Sequence, residues 1–166
     1  MTGLLLDRSA VISPCGRYRY RLTRTLPGST PGLAFVMLNP STADAEVDDP
    51  TIRRCINFAA GTGGIVVVNL FALRATDPRE LREHGSEAVG PENRFYLARV
   101  LTDSLAGGAQ VVCAWGAHAQ ALSVGYLFEL HARERGACLW CLGRTKSGAP
   151  RHPLYVRRNQ PLEIFS

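Results

Sequence analysis

The chain has 166 residues and a mass of 18.1 kDa, enough for one domain (1–166) with a sizeable core and too little for two of ordinary size. Hydrophobic residues make up 46% and charged residues 20%, which excludes a disordered chain, and no apolar run reaches the roughly 18 residues of a transmembrane helix. The formal net charge of +5, carried almost wholly by arginine (Lys146 is the sole lysine), slightly favours nucleic acid or nucleotide ligands, although GC-rich coding also enriches arginine.

The short apolar run Leu4–Leu6 stops at Asp7, so the sequence predicts no secretory leader. Five cysteines, an odd number, fit a reducing cytoplasm better than a disulfide scaffold. Residues 10–25 read as a hairpin turning at Pro14-Cys15-Gly16, part of an N-terminal extension over 1–28. Arg17, Arg19 and Arg21 alternate with Tyr18, Tyr20 and Leu22. That period predicts a solvated arginine face over a tyrosine-lined core, with a phosphate-binding face as the alternative.

Residues 33–38 form a continuous apolar run ending at Asn39-Pro40-Ser41, and a strand apolar on both faces belongs inside a parallel sheet. Asp49 and Pro50 open a helix that stops at Gly61-Thr62-Gly63-Gly64. A second buried strand, Ile65–Val68, ends at Asn69. Thr76-Asp77-Pro78 caps a short helix, and a longer one spans Pro91–Ala106. A third strand, Val111–Trp115, ends at Gly116, and a helix follows over His118–Arg135. The fourth strand is Ala137–Leu142, and the loop after Gly143 leads to Arg151-His152-Pro153. Alternating strands and helices predict an α/β sandwich with a parallel central sheet. Its ligand crevice lies beyond the carboxyl ends of the strands, at Asn39–Ser41, Asn69, Gly116 and the 143–155 loop.

Several residues in that region suit chemistry. Asn39 can orient a water or read a base edge, or it can simply start an Asx turn. Asn69 ends its strand in the same way. Asp44, Asp48 and Asp49 lack calcium-loop spacing and fit helix capping better than a metal site. Cys138-Leu139-Trp140-Cys141 falls in a buried strand with no second cysteine or histidine pair at zinc spacing, so no metal or other cofactor is expected. His152, set in a proline-bounded loop, is a candidate electrostatic or general-acid group, or a structural hydrogen-bonder.

Four segments in order resemble the uracil-DNA glycosylase superfamily: Leu38-Asn39-Pro40-Ser41, Val66–Arg74 with its Asn69, Val111–Gln120 with its Trp115-Gly116, and Arg151-His152-Pro153. The chain departs from that pattern where Met37-Leu38 replaces a glycine and where Leu154-Tyr155 follows His152-Pro153. Residues 37–44, 49–55 and 68–72 resemble more closely a bacterial and phage family known as domain of unknown function 1643.

The glycosylase resemblance implies a three-layer sandwich over 33–156 with four parallel strands in the order 2-1-3-4. It implies hydrolysis of the N-glycosidic bond of a modified base in DNA or a nucleotide, with Asn39 and His152 catalytic. Pro40, Ser41, Asn69, Phe58 and Phe71 would hold the base, and Arg53, Arg54, Arg74, Arg144, Lys146 and Arg151 the phosphates. The alternative is a non-catalytic nucleotide or nucleic-acid binding module of the same fold. A monomer is assumed, no membrane partner is expected, and the expected location is cytoplasmic.

Overall fold

Five consecutive apolar residues, Leu33–Met37, form strand β3 and all five are buried. A strand with no polar face is stable only with covering layers on both sides. The computed structural model, which describes residues 6–166, supplies both. Of the N-terminal apolar run only Leu6 lies within the described residues.

Over the described residues the fold is mixed α/β, with four α-helices and one sheet. Strands β1 (Asp7–Ile12) and β2 (Arg19–Thr25) precede β3; helix α1 (Pro50–Phe58) leads to β4 (Gly64–Asn69). Then come α2 (Arg79–His84), α3 (Asn93–Leu105), β5 (Gln110–Cys113), α4 (Ala121–Glu134), β6 (Leu139–Cys141) and β7 (Glu163–Ile164). The sheet has seven strands in the order β1-β2-β4-β3-β5-β6-β7, not four. Adjacent strands within β4-β3-β5-β6 pair in parallel, and β1, β2 and β7 add antiparallel pairs outside them. Strand β7, a two-residue pairing at the far edge, carries no apolar run in the sequence to mark it. No helix of the described residues is long and apolar enough to cross a membrane.

Alternation along the inner strands divides the core in two. Ala34, Val36, Val66, Val68, Val111 and Cys113 pack with Val100 and Leu101 of α3 and Phe128 and Ala132 of α4. Leu33, Phe35, Met37, Ile65, Val67 and Val112 pack with Ile52 and Cys55 of α1. Each fully buried side chain such as Phe35 or Ile65 contributes about 1.5–3 kcal/mol relative to exposure. Helix α1 starts where the sequence predicts, with the Asp49 carboxylate accepting the Ile52 N–H at 2.8 Å and Pro50 in the first turn.

One expectation is overturned in β2. Arg19 is not part of a solvated face; it is 2% exposed. The face of β2 opposite Tyr18 and Tyr20 is covered as well, by α1 and the segment around Ala43, and a bulge follows Arg19. Ile12 pairs with Arg19 and Val11 with Arg21, so Tyr20 has no partner and the side-chain alternation shifts by one residue. Beyond the bulge Leu22 joins the α1 side of the core, while Tyr20 stays on the other side. Arg24 is also fully buried, and its Nε donates to Asp48 at 2.8 Å.

Candidate functional site

A cavity of about 870 Å³ opens at the carboxyl ends of β3 and β5. From β3 the chain first crosses to β4 on one side and later reaches β5 on the other. Connections leaving in opposite directions create a crevice at that point of an α/β sheet. The volume suits a nucleotide-sized ligand.

Asn39 follows β3 directly and lines the cavity. Its Nδ2 donates to the carbonyls of Pro40 (3.0 Å) and Ala75 (2.8 Å). Both amide hydrogens are therefore occupied by backbone, which leaves Oδ1 as the free, accepting end of the side chain. Ser41 lines the cavity beside it, while Pro40 serves through its carbonyl and is not a wall residue.

His152 reaches the same cavity from the far end of the chain. It caps the short 3₁₀ turn Pro153–Tyr155, with Nδ1 accepting the Leu154 N–H at 3.3 Å. An accepting Nδ1 carries no proton, so the neutral ring keeps its hydrogen on Nε2. Burial, reinforced by neighbouring His118 and opposed by Asp49, lowers the His152 pKa below the ordinary value. Arg54 holds this turn against α1, its guanidinium donating to the carbonyls of Pro153 and Val156. Gly116, at φ +75°, turns the chain out of β5, and a Cβ there would lie 3.7 Å from His118 and 3.9 Å from His152.

The cavity wall includes residues that the sequence reading did not place among the site residues: Arg19, Thr51, Trp115, His118, Thr145 and Tyr155. Asp49, read from sequence as a cap, is both cap and wall. Arg19 donates from one terminal nitrogen to the Ala43 carbonyl at 2.8 Å and from the other to Asn69 Oδ1 at 3.4 Å. Burial lowers its pKa to about 10, and it stays cationic at neutral pH. The arginine–tyrosine alternation puts Arg19 on the face opposite Tyr18 and Tyr20, but nothing in it shows that this face is covered too.

The remaining expected residues divide. Lys146 and Arg151 line the cavity. Arg74 lines an adjoining open groove with Arg17; the groove meets the cavity at Ser41, Ala75 and Thr76. Asn69 is buried and holds Arg19 instead of standing in the wall. Arg53 donates to the Asp48 carbonyl, and Arg144 donates to the Phe165 carbonyl with its guanidinium 4.6 Å from the Phe165 ring centroid. Phe71 is packed in the core, and Phe58 lies under Arg54, 5.3 Å from its guanidinium. Neither ring is in the cavity wall; both are held by packing on the sheet faces. The aromatic rings that do reach it are Trp115 and Tyr155. Of the C-x-x-C pair, Cys138 is exposed and Cys141 buried.

No curated protein and no solved structure matches the chain. A family described as "Protein of unknown function (DUF1643)" matches residues 19–154, from the buried arginine of β2 to the turn after His152. That span takes in the inner sheet and most of the cavity wall, and the chain belongs to this family.

Proposed function

We propose that this protein hydrolyses the N-glycosidic bond of a modified or damaged base in DNA or a nucleotide. The observation that carries the reading is the meeting of Asn39 and His152 in one cavity, each with a single free group of the required kind. The free Oδ1 of Asn39 accepts a hydrogen bond from a water and aims its oxygen at the anomeric carbon. The carbon–nitrogen bond breaks, and its electron pair leaves with the base. Neutral His152 donates from Nε2 to the oxygen of the departing base, where negative charge collects. Asp49, in the same wall, is the carboxylate at hand for the water's proton.

Further support comes from the order of the inner strands, which is the order that the resemblance to uracil-DNA glycosylases implies. Tyr155 and Trp115 supply rings against which a base can stack, in place of Phe58 and Phe71. Lys146 and Arg151 in the wall, with Arg17 and Arg74 along the adjoining groove, give phosphates a cationic path.

The experiment is a screen for base release from oligonucleotides and nucleotides bearing uracil, hypoxanthine, and oxidised or alkylated bases, with Asn39→Ala as control. Release that needs Asn39 supports the reading. A wild-type protein inert on every substrate, yet binding them, leaves a non-catalytic binding module of the same fold.

A further inference from the structure

Arg19 poses a problem that its structural bonds do not solve. Its side chain is almost wholly buried and lines the cavity, yet among the described residues no carboxylate lies within 4.0 Å of its nitrogens. The two carboxylates that favour its charge, Asp49 and Asp44, act from a distance without touching it. Asp49 accepts from the Ile52 N–H, and Asp44 accepts from the N–H groups of Glu46 and Val47. Burying a cation without a counter-ion is costly, and such a charge is normally paired. Arg24, five residues further along β2, shows the ordinary solution, a direct ion pair with Asp48.

The hydrogen bonding points the same way. Arg19 Nε and Asn69 Nδ2 are buried with no acceptor. Asn69 Oδ1, the only acceptor of the two side chains, is taken by Arg19 itself. All the capacity that remains in this pair is therefore donor capacity beside a positive charge. A neutral base edge that mixes donors and acceptors suits it poorly; an oxyanion suits it well.

We propose that Arg19 is the anion-binding residue of this cavity, receiving a phosphoryl or carboxylate oxygen of the ligand on guanidinium N–H groups that Ala43 and Asn69 leave free. Asn69 and the Ala43 carbonyl fix the plane of the guanidinium before the ligand arrives, so little side-chain entropy is lost on binding. The inference concerns ligand binding in the same cavity and does not depend on bond cleavage there.

The test is calorimetric titration of the full chain at low ionic strength with inorganic phosphate, a nucleoside 5′-monophosphate, orotate as a carboxylated pyrimidine, and uridine as the neutral control. At least one oxyanion binds at least tenfold more tightly than uridine. Phosphate and the monophosphate identify a phosphoryl source, and orotate alone identifies a carboxylate. Arg19→Gln weakens that binding by about 10- to 100-fold, and Arg19→Lys, which keeps the charge and loses the planar fork, by several-fold. In the wild-type protein the Arg19 Nε–H resonance shifts with the oxyanion and not with uridine, a readout that survives if a variant fails to fold. No oxyanion binding, affinity unchanged within twofold in Arg19→Gln, or an unmoved Nε–H resonance while anion binds overturns the inference. Base release is scored separately: an inert protein that binds oxyanions at Arg19 leaves this inference standing, and an active one without such binding leaves only the proposed reaction.

Discussion

The guanidinium of Arg19 donates to Oδ1 of Asn69 at 3.4 Å, tying the start of an antiparallel strand to the carboxyl end of a parallel one. Asn93 continues the connection from α3, its Nδ2 donating to the carbonyls of Asn69 (2.8 Å) and Leu70 (3.0 Å). The β1–β2 pair is thereby more than an extension laid along the sheet edge. It delivers a buried cation to the wall of the central cavity.

Asn39→Ala and His152→Ala should each slow base release by about 10²–10³, the usual effect of losing one placed donor or orienting group. Circular dichroism should show the fold intact. Release unchanged in Asn39→Ala would assign the water to another residue, with Asp49 and then Asp44 next to be replaced.

Asn39→Asp should not produce a faster enzyme. The Asn39 amide donates to two backbone carbonyls, and an ionised carboxylate would face both as an acceptor. The variant should lose about 1–3 kcal/mol at pH 7, where two carbonyls lose their donor. The deficit should shrink at acid pH, where a protonated carboxyl can donate once more. Urea unfolding of both proteins at the two pH values measures the difference.

The His152 ring should titrate with a midpoint below 6.5, read from its C2–H proton resonance. Its lowered pKa means that the unfolded chain binds the proton more readily. The stability it contributes is thus complete above about pH 6.5 and is lost as pH falls through the folded value. His152 remains the neutral donor from pH 6.5 upward, so base release should not fall off there on its account.

Asp48→Ala should destabilise the protein by about 3–5 kcal/mol in denaturant unfolding, because it strands the fully buried Arg24. The exposed pair Arg99–Asp103 provides the contrast, and Asp103→Ala should change stability by less than about 1 kcal/mol.

Tyr155 is 79% exposed, so Tyr155→Ala should leave stability within about 0.5 kcal/mol of wild type. As a stacking platform beside His152, at 5.5 Å between ring centroids, its loss should weaken oligonucleotide binding about tenfold or more, measured by fluorescence anisotropy.

The inner sheet was legible in the residues because its determinants are local. Apolar runs at 33–38, 65–68 and 111–115 can only be buried, and Asp49-Pro50 can only open a helix, so strand, helix and the crevice at Asn39 and His152 follow from short-range pattern. A helix and a strand illustrate the limit of that pattern: α4 begins at Ala121, later than the sequence predicts, and β6 is shorter than its apolar run. What the pattern could not hold is anything set by distant partners. The bulge at Tyr20 is fixed by pairing with β1, and the cover over the Arg19 side of β2 comes from α1 and the segment around Ala43, both distant in sequence. Likewise Arg54 and Arg144 read as free cations until the backbone carbonyls of Pro153, Val156 and Phe165 arrive to occupy them. A single residue's hydrophobicity and period fix which element it joins. Whether a polar group is left free depends on which backbone groups and side chains the rest of the fold brings to it, and only the tertiary structure decides that.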